Sequence, residues 1–180
     1  SALHAYLSTN KQSVVLDKLT SAQLSTLLQQ ADLVLDDTNP IIDPPASLSR
    51  MTICWYGTTG PMADFTGTDA QMYAMNGMLR LIGEPNAAPY IPTGYQAQMV
   101  AGATAFIGAM GHILSRELGN AEGPEQLETS ILESVMCFTD VGAISAHNTG
   151  IEASRLGVNR FPPTYPLGVF PCKDGWLGVT

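Results

Sequence analysis

The stretch Met51–Gly77, MTICWYGTTGPMADFTGTDAQMYAMNG, decides the fold. It opens on an apolar run, MTICWY, of the length of a buried strand. Gly57-Thr58-Thr59-Gly60-Pro61 follows at once as a turn. Glycine at 57 and 60 lets the backbone take positive φ or pass close to a ligand, and Pro61 stiffens the exit. Helix-compatible residues rich in Met and Ala then run from Asp69 to Leu81. A strand ending in such a turn is where an open α/β sheet presents ligand-binding backbone, beyond the carboxyl ends of its strands.

The flanking sequence repeats the alternation. Upstream, Ser13–Leu19 (SVVLDKL) is β-branched at its heart and predicts a strand. Thr20 and Ser21 follow as capping residues for a helix through Gln30, with Leu24, Leu27 and Leu28 on one face. Ala31–Asp37 (ADLVLDD) predicts the next strand. Strand, helix and strand at this spacing form a βαβ unit with parallel pairing. A proline-rich loop, Thr38–Ser49, leads to the pivotal strand at Thr52–Tyr56.

Downstream, a second proline-rich loop spans Gly83–Pro92. The longest periodic segment runs from Gly94 to Leu118, with Thr93 as a candidate cap. Its small residues Ala101, Gly102, Ala105, Gly108 and Gly111 predict a buried helix packed very close to a neighbour. Leu127–Asn148 begins as a short strand and continues as a helix. After Gly150 the prolines at 162, 163, 166 and 171 exclude a regular helix. Lys173-Asp174-Gly175 is a tight turn between GVFPC and WLGVT, which predicts a hairpin. The reading is an α/β chain built on a parallel sheet.

Composition narrows the function. The 180 residues are 45% apolar and only 13% charged, a density that points to surface covered by other protein. A net charge of -8 argues against a nucleic-acid surface. Cys54, Cys137 and Cys172 are widely spaced and odd in number, which suits a reducing compartment and no disulfide scaffold. Cys54 and Cys137 read as small buried hydrophobes. His4, His112 and His147 show no metal-ligand spacing, so no metal is expected. Met99–Met110, the longest apolar stretch, falls short of the roughly 20 residues a span requires, and no membrane role is expected. With no basic leader followed by an apolar run, the expectation is a soluble cytoplasmic protein. The chain lacks a starting Met and stops on a strand, so it reads as a piece of a longer one.

Six elements, kept in order, resemble the family III CoA-transferases, the CaiB/BaiF-like proteins that include formyl-CoA and carnitine CoA-transferases and α-methylacyl-CoA racemases. Asn10-Lys11 with SVVLDKL resembles the family's N-x-x-K-x-S-V-x-L-D entry, and ADLVLDDTNP its A-D-V-V-x-x-N-F-x-P element. CWYGTTGP is similar to G-F-G-x-x-G-P, and GTDAQMYAMNG to G-x-D-x-x-x-Q-A-x-x-G. SILES at 130–134 resembles S-L-x-E. YPLGVFPCKDGWLGV resembles the link into the smaller domain. The resemblance implies the Rossmann-like parallel-sheet portion of the large domain, three-layer αβα and incomplete at both ends. Residues 1–150 would belong to the large CoA-binding domain, and 151–180 to the linker and the start of the smaller one. It also implies an interlocked homodimer, or association with the rest of a longer chain, and coenzyme A or acyl-CoA as substrate with no tightly bound cofactor.

The resemblance places a nucleophilic aspartate at the start of the Gly- and Ala-rich helix. Its carboxylate would attack the acyl-CoA thioester and give a mixed anhydride, then an enzyme-bound CoA thioester. Here that position is Gln98, whose neutral amide orients a carbonyl but forms no anhydride. Leu16, Lys18, Asp37, Thr38, Gly57 and Gly60 fall where the family meets CoA. Asp37-Thr38 replaces an Asn-Phe pair and puts a carboxylate near anionic phosphates. Gly67-Thr68-Asp69 replaces the racemase G-H-D, so the imidazole base is absent and racemisation is disfavoured. Asp69 reads as a helix cap. The G-x-G-Q turn near CoA becomes Gly123-Pro124-Glu125-Gln126. The expectations are a CoA-transferase-like protein whose transfer chemistry is compromised at Gln98, a silent CoA-transferase-like domain with a structural or CoA-binding role, or a scaffold whose cleft serves an unrelated small molecule.

Overall fold

The computed structural model describes residues 1–161 and 164–180, so Pro162 and Pro163, counted above among the helix-excluding prolines, lie outside the described residues. Helices α1 (Ala2–Leu7) and α2 (Ser21–Gln29) precede three strands, β1 (Leu33–Asp37), β2 (Ser49–Cys54) and β3 (Gln126–Ser130). Between β2 and β3 lie α3 (Asp69–Met75) and α4 (Gln96–Glu117). Helices α5 (Ile131–Val135) and α6 (Asp140–Thr149) follow β3, and strands β4 (Gly168–Cys172) and β5 (Gly175–Val179) end the chain.

The strands lie in the order β1-β2-β3 and pair in parallel, with Leu33 opposite Ser49 and Arg50 opposite Gln126. This is the α/β, Rossmann-like parallel sheet that the sequence predicts. Strand β2 is central because its alternate residues serve two environments. Ser49, Met51 and Ile53 turn toward α4, whereas Arg50 and Thr52 both reach the carboxylate of Asp36 on β1. Arg50 Nε donates to Asp36 Oδ1 at 3.0 Å, and its Nη2 lies 2.9 Å from Oδ2. The helices that bury residues, α3, α4 and α5, gather with Ile53 and Trp55 in one cluster. Among the described residues, the helix layer with buried residues is therefore on a single face of the sheet, one of the two that a three-layer arrangement calls for.

Helix α4 buries a narrow stripe at four-residue spacing, Ala97, Ala101, Ala105 and Ala109, extended by His112. Alanine methyls let the helix axis approach the sheet closely, and the Met51 side chain lies where a Cβ at Gly108 would meet it, at 3.2 Å. Gly102 and Gly111 face open space, and Phe106, Ile107, Met110 and Leu114 are exposed. The helix is thus buried along one stripe only, not all round as its composition suggests. It is also long and apolar enough to cross a membrane by length and composition, which the shorter Met99–Met110 window missed. Its N-cap is Tyr95, not Thr93, and no side chain of its own caps it.

A polar lock fastens the other end of α4. Ser49 Oγ lies 2.8 Å from His112 Nε2, and His112 Nδ1 lies 3.3 Å from Glu125 Oε2. The carboxylate only accepts, so Nδ1 carries the proton toward Glu125, and Nε2 pairs with the Ser49 hydroxyl. Ser49 Oγ in turn accepts the Glu125 N–H at 3.2 Å. Every polar group in this buried corner is therefore satisfied, and β2, α4 and the entry to β3 are joined in one network.

Four expectations give way. Ser13–Leu19 is extended at first but carries only a 3-10 turn at Leu16–Lys18, and among the described residues it pairs with no strand, so the first βαβ unit is not built there. Its β-branched residues, Val14 and Val15, are exposed and have no ladder to join. The pivotal strand begins at Ser49, earlier than Thr52. Helix α3 stops at Met75, where Asn76 caps it and Gly77 takes a positive φ, and a 3-10 turn at Met78–Arg80 completes the segment. Cys137 is exposed and not buried, whereas Cys54 is buried as expected. At the C-terminus the hairpin forms as predicted, with Cys172 opposite Gly175. Arg155 fastens the segment before it by donating to the carbonyls of Leu79, Glu84 and Ala87, each at 3.0 Å.

His112→Ala leaves the Ser49 hydroxyl without its ring partner in a closed corner. It is expected to cost about 1–3 kcal/mol of unfolding free energy, read by urea denaturation of the full-length protein. Burial pushes the Cys54 thiol above its ordinary pKa, and Glu128 and Glu133 add to the shift against an opposing backbone amide of Gly57. Iodoacetamide near pH 8 is expected to modify Cys137 and Cys172 in the folded protein and Cys54 only after denaturation, as read by peptide mass spectrometry.

Candidate active site at the start of α4

Parallel pairing puts the carboxyl ends of β1, β2 and β3 on one edge of the sheet, and α4 starts there. Ala97 and Ala101 pack with Ile53 and Trp55, whereas His112 reaches Ser49 at the opposite end of β2, so the helix runs antiparallel to the strands. Its N-terminus, with unsatisfied amides and the positive end of the helix dipole, therefore opens on the carboxyl edge.

A side chain from another helix supplies the missing cap. Thr68 caps α3 by accepting the Gln71 N–H, which leaves Asp69, the first residue of α3, free to face α4. Asp69 Oδ2 accepts the Ala97 N–H at 3.0 Å, and Asp69 Oδ1 accepts from Gln98 Nε2 at 2.9 Å. Asp69 thus caps α4, not the helix it begins. The sequence held one signal of this. Thr68-x-x-Gln71 carries the capping-box pattern, which assigns the N-cap of α3 to Thr68 and leaves Asp69 without that role.

Beneath the pair lies Tyr73, fully buried, with a hydroxyl that has no hydrogen-bond partner. Burial raises its pKa first and the Asp69 charge adds to the shift, while the nearby Ala97 amide pulls the other way. That amide donates to Asp69, so the Tyr73 hydroxyl remains unpaired. Gln98 itself is exposed and lines an open, largely apolar groove with Leu3, Tyr6, Tyr95 and Met99.

The other candidate residues are spread along the same edge or away from it. Gly57 and Gly60 take φ of +106° and +91°, conformations that L side chains rarely adopt. Their turn already holds a carboxylate: the Thr58 N–H donates to Glu128 Oε2 at 2.9 Å, and the Thr58 hydroxyl donates to the same oxygen. Asp37 and Thr38 stand exposed at the end of β1, where Asp37 Oδ1 accepts the Asn39 N–H at 2.8 Å. Leu16 and Lys18 occupy the 3-10 turn, and the Lys18 ammonium makes no ion pair among the described residues. Of the altered Gly123–Gln126 turn, Glu125 belongs to the polar lock. Among the described residues no group of three or more His, Cys, Asp or Glu is placed to hold a metal ion.

The family model described as CoA-transferase family III matches residues 47–180, from the turn before β2 to the hairpin. The chain belongs to CoA-transferase family III. It is similar to a succinate–glutarate CoA-transferase of Agrobacterium fabrum, with 26% identity over 191 residues, 96% of this chain and 46% of that protein. It is also similar to a succinyl-CoA:glutarate CoA-transferase of Mus musculus, with 30% identity over 129 residues, 71% of this chain and 29% of that protein. The chain spans about half the length or less of the curated relatives it matches. Among solved structures, a CAIB/BAIF family protein from Brucella suis superposes with a TM-score of 0.72 at 20% identity, over 87% of this chain and 45% of that one. A hypothetical protein from Mycobacterium tuberculosis gives a TM-score of 0.65 at 19% identity, over 94% and 49%. These likenesses carry the fold, over about half of each solved chain.

The unpaired hydroxyl generates a stability prediction. Tyr73→Phe removes a buried polar atom that has no partner and keeps the ring, so the variant is expected to gain roughly 1 kcal/mol in urea denaturation. Equal or lower stability would show that the hydroxyl has a partner in solution.

Proposed function

We propose that this chain is the CoA-binding α/β part of a protein that moves CoA between an acyl-CoA thioester and a carboxylic acid, and that Gln98 does not itself take the acyl group. The observation that carries the reading is the start of α4 in a family III domain: the exposed Gln98 amide lines an open groove and is held by the Asp69 carboxylate, which also takes the Ala97 N–H. Helix amides and an amide side chain stabilise negative charge on a thioester oxygen. The apolar lining offers room for an acyl chain beside Gln98. Coenzyme A enters as substrate, and the rest of the longer chain, or a second copy interlocked with it, would complete the walls.

A second reading is a silent domain that retains the fold. Gln98 cannot form an anhydride, and the Gly57–Gly60 turn is occupied by Glu128 where an anion would otherwise accept its amide. The racemase reading lacks support at residue 68, a threonine that caps α3.

Calorimetric titration of the full-length protein with CoA and with acetyl-CoA separates these readings. Saturable binding of both, with CoA exchange into an added carboxylic acid, is the expected result. Binding without exchange would establish the silent domain, and no heat with either ligand would remove CoA from the function. Gln98→Asp is expected to leave the CoA dissociation constant within about threefold, a change of under 1 kcal/mol.

A further inference from the structure

Building on the transfer reading, we propose that the groove between α1 and α4 selects the acyl group: it takes an uncharged apolar chain longer than acetyl and refuses one that ends in a second carboxylate. Leu3 and Tyr6 of α1 line it together with Tyr95, Met99 and Gly102 at the start of α4, whose spacings of three and four residues set each group on one helix face. The groove encloses about 650 Å³, within the range of small-molecule sites.

Charge decides which acyl group fits. None of the residues that line the groove is a Lys, Arg, His, Asp or Glu, and His4, the basic residue of α1, is not part of the lining. The polar end is the Gln98 amide, and the Asp69 carboxylate stands behind it, 2.9 Å from Gln98 Nε2. No Lys, Arg or His pairs with that carboxylate among the described residues. A second carboxylate on the acyl group would give up its hydration among Leu, Tyr and Met side chains with no cation to meet it. Folded back toward Gln98, it would meet the like charge of Asp69. An apolar chain meets neither cost and withdraws its own surface from water.

Two further features show that the groove lacks a filling of its own. Helix α1 has six residues and buries none of them, and a helix so short holds its shape only when its apolar face is covered. Leu3, Tyr6, Tyr95 and Met99 are all exposed. At Gly102 a Cβ would meet nothing within 4 Å, so the missing side chain is what leaves that wall open. Glycine is unfavourable inside a helix, and no close approach of another group requires it here. Gly102 therefore sets the room available for the chain.

The test is calorimetric titration of the full-length protein with CoA, acetyl-CoA, hexanoyl-CoA and succinyl-CoA. Hexanoyl-CoA is expected to bind at least about 10-fold more tightly than either of the other thioesters. Hydrogen exchange over Ala2–Leu7 is expected to slow with hexanoyl-CoA and not with CoA. Gly102→Leu, which narrows the groove with a better helix former, is expected to bring hexanoyl-CoA down to the affinity of acetyl-CoA. Succinyl-CoA binding as tightly as hexanoyl-CoA overturns the assignment. So does CoA binding with one affinity for all three thioesters, or a hexanoyl preference without slowed exchange in α1; the rest of the longer chain then covers the groove. Absence of CoA binding by the unaltered protein overturns the transfer reading, and this assignment with it. The exchange measurement uses the unaltered protein, so poor folding of Gly102→Leu does not decide the result.

Discussion

A helix can lie close against a sheet only if the face it presents carries nothing much larger than a methyl group. The Ala97, Ala101, Ala105 and Ala109 stripe meets that condition, and Met51 and Ile53 fill the space it leaves. The position of α4 along the sheet then follows from its two ends. His112 anchors one end to Ser49, and the Asp69 carboxylate holds the other. With both ends fixed, the first amides of α4 are delivered to the carboxyl edge of the parallel strands. The site is a consequence of this packing.

Asp69 joins α3 to the start of α4. A carboxylate at a helix N-terminus stabilises the helix, and the same fields that stabilise it also hold it in one orientation. Gln98 takes the position at which the family resemblance implies a nucleophile, and its amide bonds to Asp69 with no opposing charge. Two carboxylates at this spacing would repel; an amide and a carboxylate attract. The Gln98 amide thus gives Asp69 a donor where a carboxylate at 98 would be a competitor.

Much of this was legible in the sequence, for reasons that differ by element. MTICWY followed by two glycines states both the buried strand and the turn, since apolar runs and positive-φ residues are local properties. The hairpin at 168–179 is local in the same sense. Ser13–Leu19 carries strand-like residues, but a strand exists only where another backbone completes its hydrogen bonds, and that is not a property of seven residues. The exposed side of α4 was hidden because small residues permit close packing on any face without saying which face has a neighbour. Asp69 at a helix start has the composition of a cap for its own helix, but the Thr68-x-x-Gln71 pattern gives that role to Thr68 and leaves the partners of Asp69 unstated. Its true partners lie 28 and 29 residues away. The lock of Ser49, His112 and Glu125 was invisible for the same reason, and a lone histidine in a helix gives no hint of two distant oxygens.

The register of β2 with β3 has a consequence for how the chain is made. Bonds from the first of these strands to the second, or to its approach, join residues 75 or 76 apart in sequence, with α3 and α4 between them. Until the second strand arrives, β2 has an open edge on that side, with Met51 and Cys54 waiting for cover. Pairings of such long range form late and slowly, and an unpaired apolar strand is prone to join the wrong neighbour. During synthesis the ribosome must deliver residues through Ser130 before the central strand gains its second partner, so this interval is where the nascent chain is most exposed to misassembly.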